Sequence, residues 1–147
     1  MEKVGRDELL VELNALLEAE RAGARVGASL VRDAAGGAFE ALAKTIQADE
    51  VRWARALFEA VTALGGEPSH EVGDFAERAL AIDGFEARMA FTNRGQGWVV
   101  RKLRELIPRV GSGELREMLQ RMLDAHVVNI AAANEALGGV PAANPPR

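Results

Sequence analysis

The chain has 147 residues, a length typical of one domain that can bury its own hydrophobic core. It contains no cysteine, which excludes disulfides, thiolate catalysis and cysteine-based zinc sites. The 18 basic and 22 acidic residues are interspersed and give a net charge of −4, which argues against a basic nucleic-acid-binding face.

The sequence has neither a membrane-spanning pattern nor the pattern of a secretory signal. It lacks a run of about 18 apolar residues, so we expect no membrane span. The first residues, Met-Glu-Lys-Val, are followed by charged residues and not by an apolar stretch, so we expect no signal peptide and a cytoplasmic location.

Apolar residues recur at spacings of three and four in four long segments, a pattern typical of amphipathic helices. The first predicted helix runs from about Asp7 to Arg32 and ends before Gly36-Gly37. The second runs from about Ala38 to Leu64 and ends before Gly65-Gly66.

The other two predicted helices have capping signals at their beginnings. Asp83, with Glu86 three residues later, forms a capping-box pattern that predicts the start of the third helix, which Pro108 closes. Ser112 is the predicted N-cap of the fourth helix, which extends to about Leu137.

The lengths of the connections predict the topology. Two short connections indicate two antiparallel hairpins, whereas the segment 65–82 is long and contains a short helical stretch, Asp74 to Ala81. At about 3.3 Å per extended residue this segment can span the length of a helix. We therefore expect an all-α, four-helix bundle with one long crossover in residues 1–137, followed by a flexible tail at 138–147. An up-and-down bundle with a bulky middle loop is the alternative.

Each predicted helix has one polar, potentially metal-binding residue near its middle, on the face that is otherwise apolar. These residues are Glu20, Glu50, Gln96 and His126. Asn93 and Asn129 lie beside the last two on the same faces. Because a buried carboxylate without a partner costs several kcal/mol, the two glutamates require a metal ion, a hydrogen-bond network, protonation or water.

In these segments the chain resembles the ferritin-like superfamily, over about residues 9–137. The run from Leu13 to Glu20 resembles the first helix of bacterioferritins, in which the last Glu is an iron ligand. The run from Asp49 to Trp53 resembles their second helix, which carries Glu-x-x-His, and Leu123 to His126 falls on the second such motif. Gln96 falls where the third helix of that family carries a Glu.

The stretch from Asn93 to Lys102 also resembles a family of uncharacterised bacterial ferritin-like domains. The departures from the ferritin pattern are informative, since a ferritin-like di-iron site uses four carboxylates and two imidazoles. Here Trp53 replaces a His, and Leu123 and Gln96 each replace a Glu. We therefore expect no standard di-iron centre and no ferroxidase activity.

The resemblance implies a ferritin-like protein of unknown cellular role with an eroded di-iron site. The remaining side chains, with the Gln96 carbonyl and water, could hold a single Fe, Mn or Zn ion. Alternatively, Glu20, Glu50, Gln96 and His126 form only a hydrogen-bonded polar layer, and Trp53 fills the space of the lost imidazole.

A second hypothesis is a non-catalytic helical module that forms a homodimer or binds another partner. It rests on small residues in the first helix, which permit close packing: Ala22, Gly23, Ala24, Gly27 and Ala28. Gly95 and Gly97, which flank Gln96, indicate close helix packing, room for Trp53 and Trp98, or a cavity or π-bulge beside the polar layer. A small ligand held near these two glycines is a third hypothesis.

Overall fold

The protein is all-helical, as the sequence predicted. The computed structural model describes residues 2–138, in which there are α-helices, one 3-10 turn and no strands. The helices are α1 (Arg6–Ala34), α2 (Glu40–Ala63), α3 (Phe75–Leu80), α4 (Phe85–Leu106) and α5 (Glu114–Ala136), and the 3-10 turn is Ile107–Arg109. Apart from Gly138, the predicted tail lies outside the described residues.

Helices α1 and α2 form an antiparallel hairpin in very close contact. The Arg6 Nε group at the start of α1 donates a hydrogen bond of 2.9 Å to the Leu64 carbonyl at the end of α2. Further along, a Cβ added to Gly27 would lie 3.0 Å from the Cβ of Gln47. The glycine therefore lets the two backbones approach more closely than a larger residue would.

Helices α4 and α5 form the second hairpin, also antiparallel. Asn93, in the first half of α4, donates from Nδ2 to the Ile130 carbonyl (3.3 Å) and to Asn134 Oδ1 (3.0 Å) in the last turns of α5. Asn93 is therefore occupied in joining these two helices, on the side of α4 that faces α5.

The predicted caps of these two helices are wrong by one residue. Helix α4 begins after Gly84 and α5 after Gly113, and neither the Asp83 nor the Ser112 side chain caps the helix. The N-cap backbone has a φ of 97° at Gly84 and of 145° at Gly113. Glycine adopts such positive φ angles at little cost, whereas Asp and Ser do not.

The connection between α2 and α4 runs along the length of α1. It leaves α2 beside Arg6, whereas α4 begins near the other end of α1, where Arg88 Nη1 pairs with Asp33 Oδ2 at 2.6 Å. On the way, the Ser69 amide donates to Asn14 Oδ1 (2.7 Å) and the Ser69 hydroxyl donates to Glu18 Oε2 (2.6 Å). These contacts fix the first half of the connection against α1, and α3 then packs against α1 and α4.

The buried apolar residues form two clusters, one at each end of the helices. The first cluster includes Leu13, Leu16, Trp53, Leu57, Val99, Leu103, Leu119 and Leu123. The second includes Ala22, Val26, Leu30, Ala43, Met89 and Ala133. Each of the four long helices contributes to both clusters, so each crosses the boundary between them once. Among residues 2–138, no helix is long and apolar enough to cross a membrane.

Candidate metal site

The four polar residues singled out by the sequence lie at the boundary between the two apolar clusters. In each long helix the polar residue follows members of one cluster and precedes members of the other, for example Glu20 between Leu17 and Ala22. All four are buried, with exposed fractions of 1% for Glu20, 3% for Glu50, 4% for Gln96 and 1% for His126. The helical repeat therefore brings one polar side chain from each helix to the same level of the core.

Three of these residues converge on one point. Glu20, Glu50 and His126 each offer a ligand atom, and these atoms all lie within 4.8 Å of one another. His126 Nε2 lies 3.2 Å from Glu20 Oε2. Two ligands bound tetrahedrally at about 2.1 Å from a metal ion are about 3.4 Å apart, so this pair already has the spacing of metal ligands.

Histidine 126 is held in the orientation that a metal ligand needs. Its Nδ1 lies 2.9 Å from the carbonyl oxygen of Met122, one turn earlier in α5. A carbonyl can only accept a hydrogen bond, so Nδ1 carries a proton, and Nε2 is the ring nitrogen that faces Glu20. In metal-binding histidines generally, the ring nitrogen that does not bind the metal donates such a hydrogen bond, which fixes the tautomer.

Burial favours the protonated forms of the two glutamates in the metal-free protein. Burial raises the pKa of Glu20 to about 8, partly opposed by a hydrogen bond from Glu50. Burial also raises the pKa of Glu50 well above its usual value, and the nearby Glu20 raises it further, while His126 lowers it. Without a cation, protons shared within the cluster therefore replace the charge that a metal ion would supply.

Asp49 acts on the two glutamates through its charge, a role that was not predicted from the sequence. Its carboxylate accepts a hydrogen bond from Asn129 Nδ2 (2.9 Å) and pairs with Arg52 Nη2 (2.5 Å). Its charge also raises the pKa of both Glu20 and Glu50. Asp49 lies at the edge of the apolar face of α2 and is only partly buried, so it does not interrupt the apolar stripe.

Several buried polar atoms near the cluster have no hydrogen-bond partner among the described residues. They are Oε1 of Glu20, Nε1 of Trp53, and both Oε1 and Nε2 of Gln96. Buried polar groups in folded proteins are nearly always hydrogen-bonded, and each exception costs about 1–3 kcal/mol. The protein alone therefore leaves this polar layer incomplete, as expected where an ion, water or ligand also binds.

A cavity of about 360 Å³ adjoins the cluster and reaches the surface. Glu20, Glu50 and Gln96 line its inner end, and the exposed residues Asp74, Arg78 and Trp98 line its outer part. The wall between them consists mainly of small or apolar residues of α1, α3, α4 and the connection before α3. The cavity thus gives a small molecule a route from solvent to the carboxyl pair.

Gly95 shapes the wall of this cavity. A Cβ at this position would lie 2.6 Å from Cζ of Phe75, so the glycine makes room for that ring and not for a tryptophan. Phe75 in turn stacks on Phe91, with the ring centroids 5.0 Å apart. Helix α4 is a continuous α-helix through Gly95 and Gly97, without the π-bulge that was one interpretation of these glycines.

Two of the small residues of α1 serve a purpose within the chain. A Cβ at Gly23 would lie 2.5 Å from Glu50 Oε2, and a Cβ at Gly27 would lie 3.0 Å from the Cβ of Gln47. Their presence therefore no longer argues for a homodimer, which stays a prediction from sequence. His70 lies exposed in the connection between α2 and α3, away from the cluster.

The fold and the site together define an all-helical protein with a buried cluster of two carboxylates and one imidazole. The chain belongs to the family described as Domain of unknown function (DUF6306), whose model matches residues 7–135. This match includes all four predicted site residues and the connection between α2 and α4. The comparison with curated proteins gave no match. The comparison with solved structures likewise gave none.

Proposed function

We propose that this protein is a ferritin-like four-helix bundle that binds one divalent transition-metal ion, Fe, Mn or Zn, through Glu20, Glu50 and His126. The convergence of three buried ligand atoms within 4.8 Å of one another carries this proposal. Two carboxylate oxygens and one imidazole nitrogen suit these ions, and the carbonyl of Gln96 or water could complete the coordination.

The charge of the cluster supports a single ion. Two ionised glutamates with a neutral imidazole carry a charge of −2, which one divalent cation neutralises inside the core. Metal binding would displace the protons that the two carboxyl groups otherwise keep, so the affinity should rise with pH.

The side chains around the cluster also support this proposal. The bond from His126 Nδ1 to the Met122 carbonyl prepares Nε2 for coordination. Oε1 of Glu20 and the amide of Gln96, which have no hydrogen-bond partner within residues 2–138, are the atoms expected to gain one when an ion and its water molecules bind. When bound, the ion would supply an open coordination position at the inner end of the cavity.

Metal titration of protein purified without an affinity tag and dialysed against a chelator tests the proposal. Fe(II) under anaerobic conditions, Mn(II) and Zn(II) are added separately, and bound metal and thermal stability are measured. We expect about one ion per chain for at least one metal. Stabilisation should reach about 2.7 kcal/mol when the free metal is at one hundred times its Kd.

Matched variants separate a specific site from adventitious binding. Glu50→Ala and His126→Ala should abolish both binding and stabilisation. Glu59→Ala, an exposed glutamate in the same helix, and His70→Ala, the exposed histidine, should leave both unchanged. Sub-stoichiometric metal together with an unchanged melting temperature for all three ions would contradict the proposal and favour a purely hydrogen-bonded layer.

A further inference from the structure

The cavity beside the cluster has the size and the chemical character of a ligand pocket. Its volume of about 360 Å³ falls at the lower end of the range for small-molecule sites, about 300–1,000 Å³. It is roughly twice the size of an engineered cavity that binds benzene. A molecule with one or two rings therefore fits.

The wall of the cavity suits a flat apolar body. Phe75 and Trp98 contribute aromatic rings, and Ala15, Ala19 and Val99 contribute aliphatic surface. Phe75 is held by its stack on Phe91 and by its contact with Gly95, so this part of the wall is preformed. A preformed aromatic wall lowers the ordering cost of binding a planar molecule.

The inner end of the cavity requires a polar group with a particular pattern. Gln96 lines it and is 96% buried, and in the part of the chain that the structure describes neither its amide donor, Nε2, nor its amide acceptor, Oε1, has a partner. A ligand group that offers one acceptor and one donor side by side, such as a primary amide, satisfies both atoms. Unlike a metal ligand, such a group uses both atoms of the Gln96 amide at once.

The charges lining the cavity disfavour an anionic ligand in the metal-free protein. Of the lining residues that the structure describes, four are acidic, namely Glu18, Glu20, Glu50 and Asp74, and Arg78 is the only basic one. Arg78 is exposed at the outer part, whereas two of the acidic residues lie at the buried inner end. A carboxylate placed beside Gln96 would therefore lose its solvation without meeting a cation at the inner end.

We propose that this cavity binds a small uncharged molecule with a flat apolar body and an amide-like polar end, and that Gln96 determines its specificity. The molecule enters between α1, α4 and the segment before α3, and its polar end pairs with the Gln96 amide. The pairing requires no metal ion, so this inference stands or falls separately from the proposed metal site.

Three isosteric probes test the inference in chelator-treated protein. Benzamide carries the required donor and acceptor, benzoate replaces them with a negative charge, and α-methylstyrene has the same shape without polar atoms. Binding is followed by the ¹H–¹⁵N signals of the Gln96 side-chain amide and the Trp98 indole. We expect millimolar or tighter binding of benzamide and about tenfold weaker binding of each of the other two probes.

Variants show whether the probe occupies this cavity. Gln96→Leu should weaken benzamide binding about tenfold but leave α-methylstyrene binding unchanged or stronger. Gln120→Leu, the same change at an exposed position of α5, should alter neither. Ala19→Leu places three extra carbons on the cavity wall and should reduce the binding of both probes.

Two results would overturn the inference. One is the absence of benzamide binding at about 10 mM. This is roughly the Kd expected when each non-hydrogen atom of the probe contributes about 0.3 kcal/mol. The other is equal binding of the three probes to the wild-type protein, which remains decisive even if a variant fails to fold. A metal titration of the Ala19→Leu variant shows whether the cluster still binds an ion when the cavity is filled.

Discussion

Replacing Gln96 with leucine should stabilise the metal-free protein. The side chain is 96% buried, and neither Oε1 nor Nε2 has a hydrogen-bond partner among the described residues. Each unsatisfied buried polar atom costs about 1–3 kcal/mol, and leucine has a similar volume without either atom. Taking the lower end of this range for both atoms gives a gain of about 2 kcal/mol.

The gain is measurable by two independent methods. For a domain of this size, about 2 kcal/mol corresponds to a rise of roughly 4–8 °C in the melting temperature. Urea denaturation in the presence of a chelator should show a higher midpoint with an unchanged m-value. The exposed Gln120→Leu variant should stay within about 0.5 kcal/mol of the wild-type protein.

The same substitution should behave differently when metal is present. If the Gln96 carbonyl binds the ion, the leucine variant loses that ligand, and its advantage over the wild-type protein shrinks as metal is added. A Gln96→Leu variant that is less stable than the wild-type protein by 1 kcal/mol or more without metal would refute the reasoning. That result would mean that ordered water already satisfies both amide atoms.

Three further predictions concern the carboxyl pair and its neighbours. Glu50→Leu should be neutral or slightly stabilising without metal, as measured by urea denaturation, because it removes a buried carboxyl group whose pKa burial raises. A loss of about 3 kcal/mol or more would instead show that the cluster is a net stabilising network. Gly23→Ala should weaken metal binding about tenfold or more, because its Cβ would lie 2.5 Å from Glu50 Oε2. In the matched Gly97→Ala variant the nearest atom is 3.7 Å away, so metal affinity should hold and stability should rise by up to about 1 kcal/mol in thermal unfolding. Finally, the pKa of Glu20 rises from 4.5 to about 8, so between these pH values the folded metal-free protein binds more protons than the unfolded chain does. Its free energy of unfolding should therefore fall with rising pH, by up to about 1.4 kcal/mol per pH unit. Glu20→Gln should flatten this profile, and an equal slope in both proteins would contradict the assignment.

The polar cluster could be predicted from the sequence because its residues interrupt the apolar stripes of the helices. An apolar helix stripe predicts which side faces the core, and a Glu or His within that stripe must therefore be buried. Glu20, Glu50 and His126 each interrupt a stripe near the middle of a helix, and the structure brings their ligand atoms together. Since helices of similar length pack side by side, equal positions along the helices become equal heights in the core.

The cavity and the helix starts depend on information that periodicity does not contain. Phe75 reaches Gly95 because of the path of a long connection, and its only signal in the sequence is a glycine within a helix. The caps at Asp83 and Ser112 were wrong because the following glycines adopt positive φ, which a capping-box pattern does not take into account. Asp49 was missed because it lies at the edge of the stripe and acts on the cluster through charge.

The side chains that replace the lost ligands argue for one ion and not two. A second divalent ion would leave the core with an excess charge of about +2, and the neighbouring carboxylate of Asp49 already pairs with Arg52. Trp53 offers an N–H group, which can donate a hydrogen bond but cannot ligate a cation, and its Nε1 has no partner among residues 2–138. Leu123 packs in the apolar cluster beside it. Trp53 and Leu123 both belong to the apolar cluster at one end of the helices, whereas Gln96 and the two carboxyl groups line the cavity. The cavity therefore gives a small molecule an approach to the carboxyl pair from the side of Gln96.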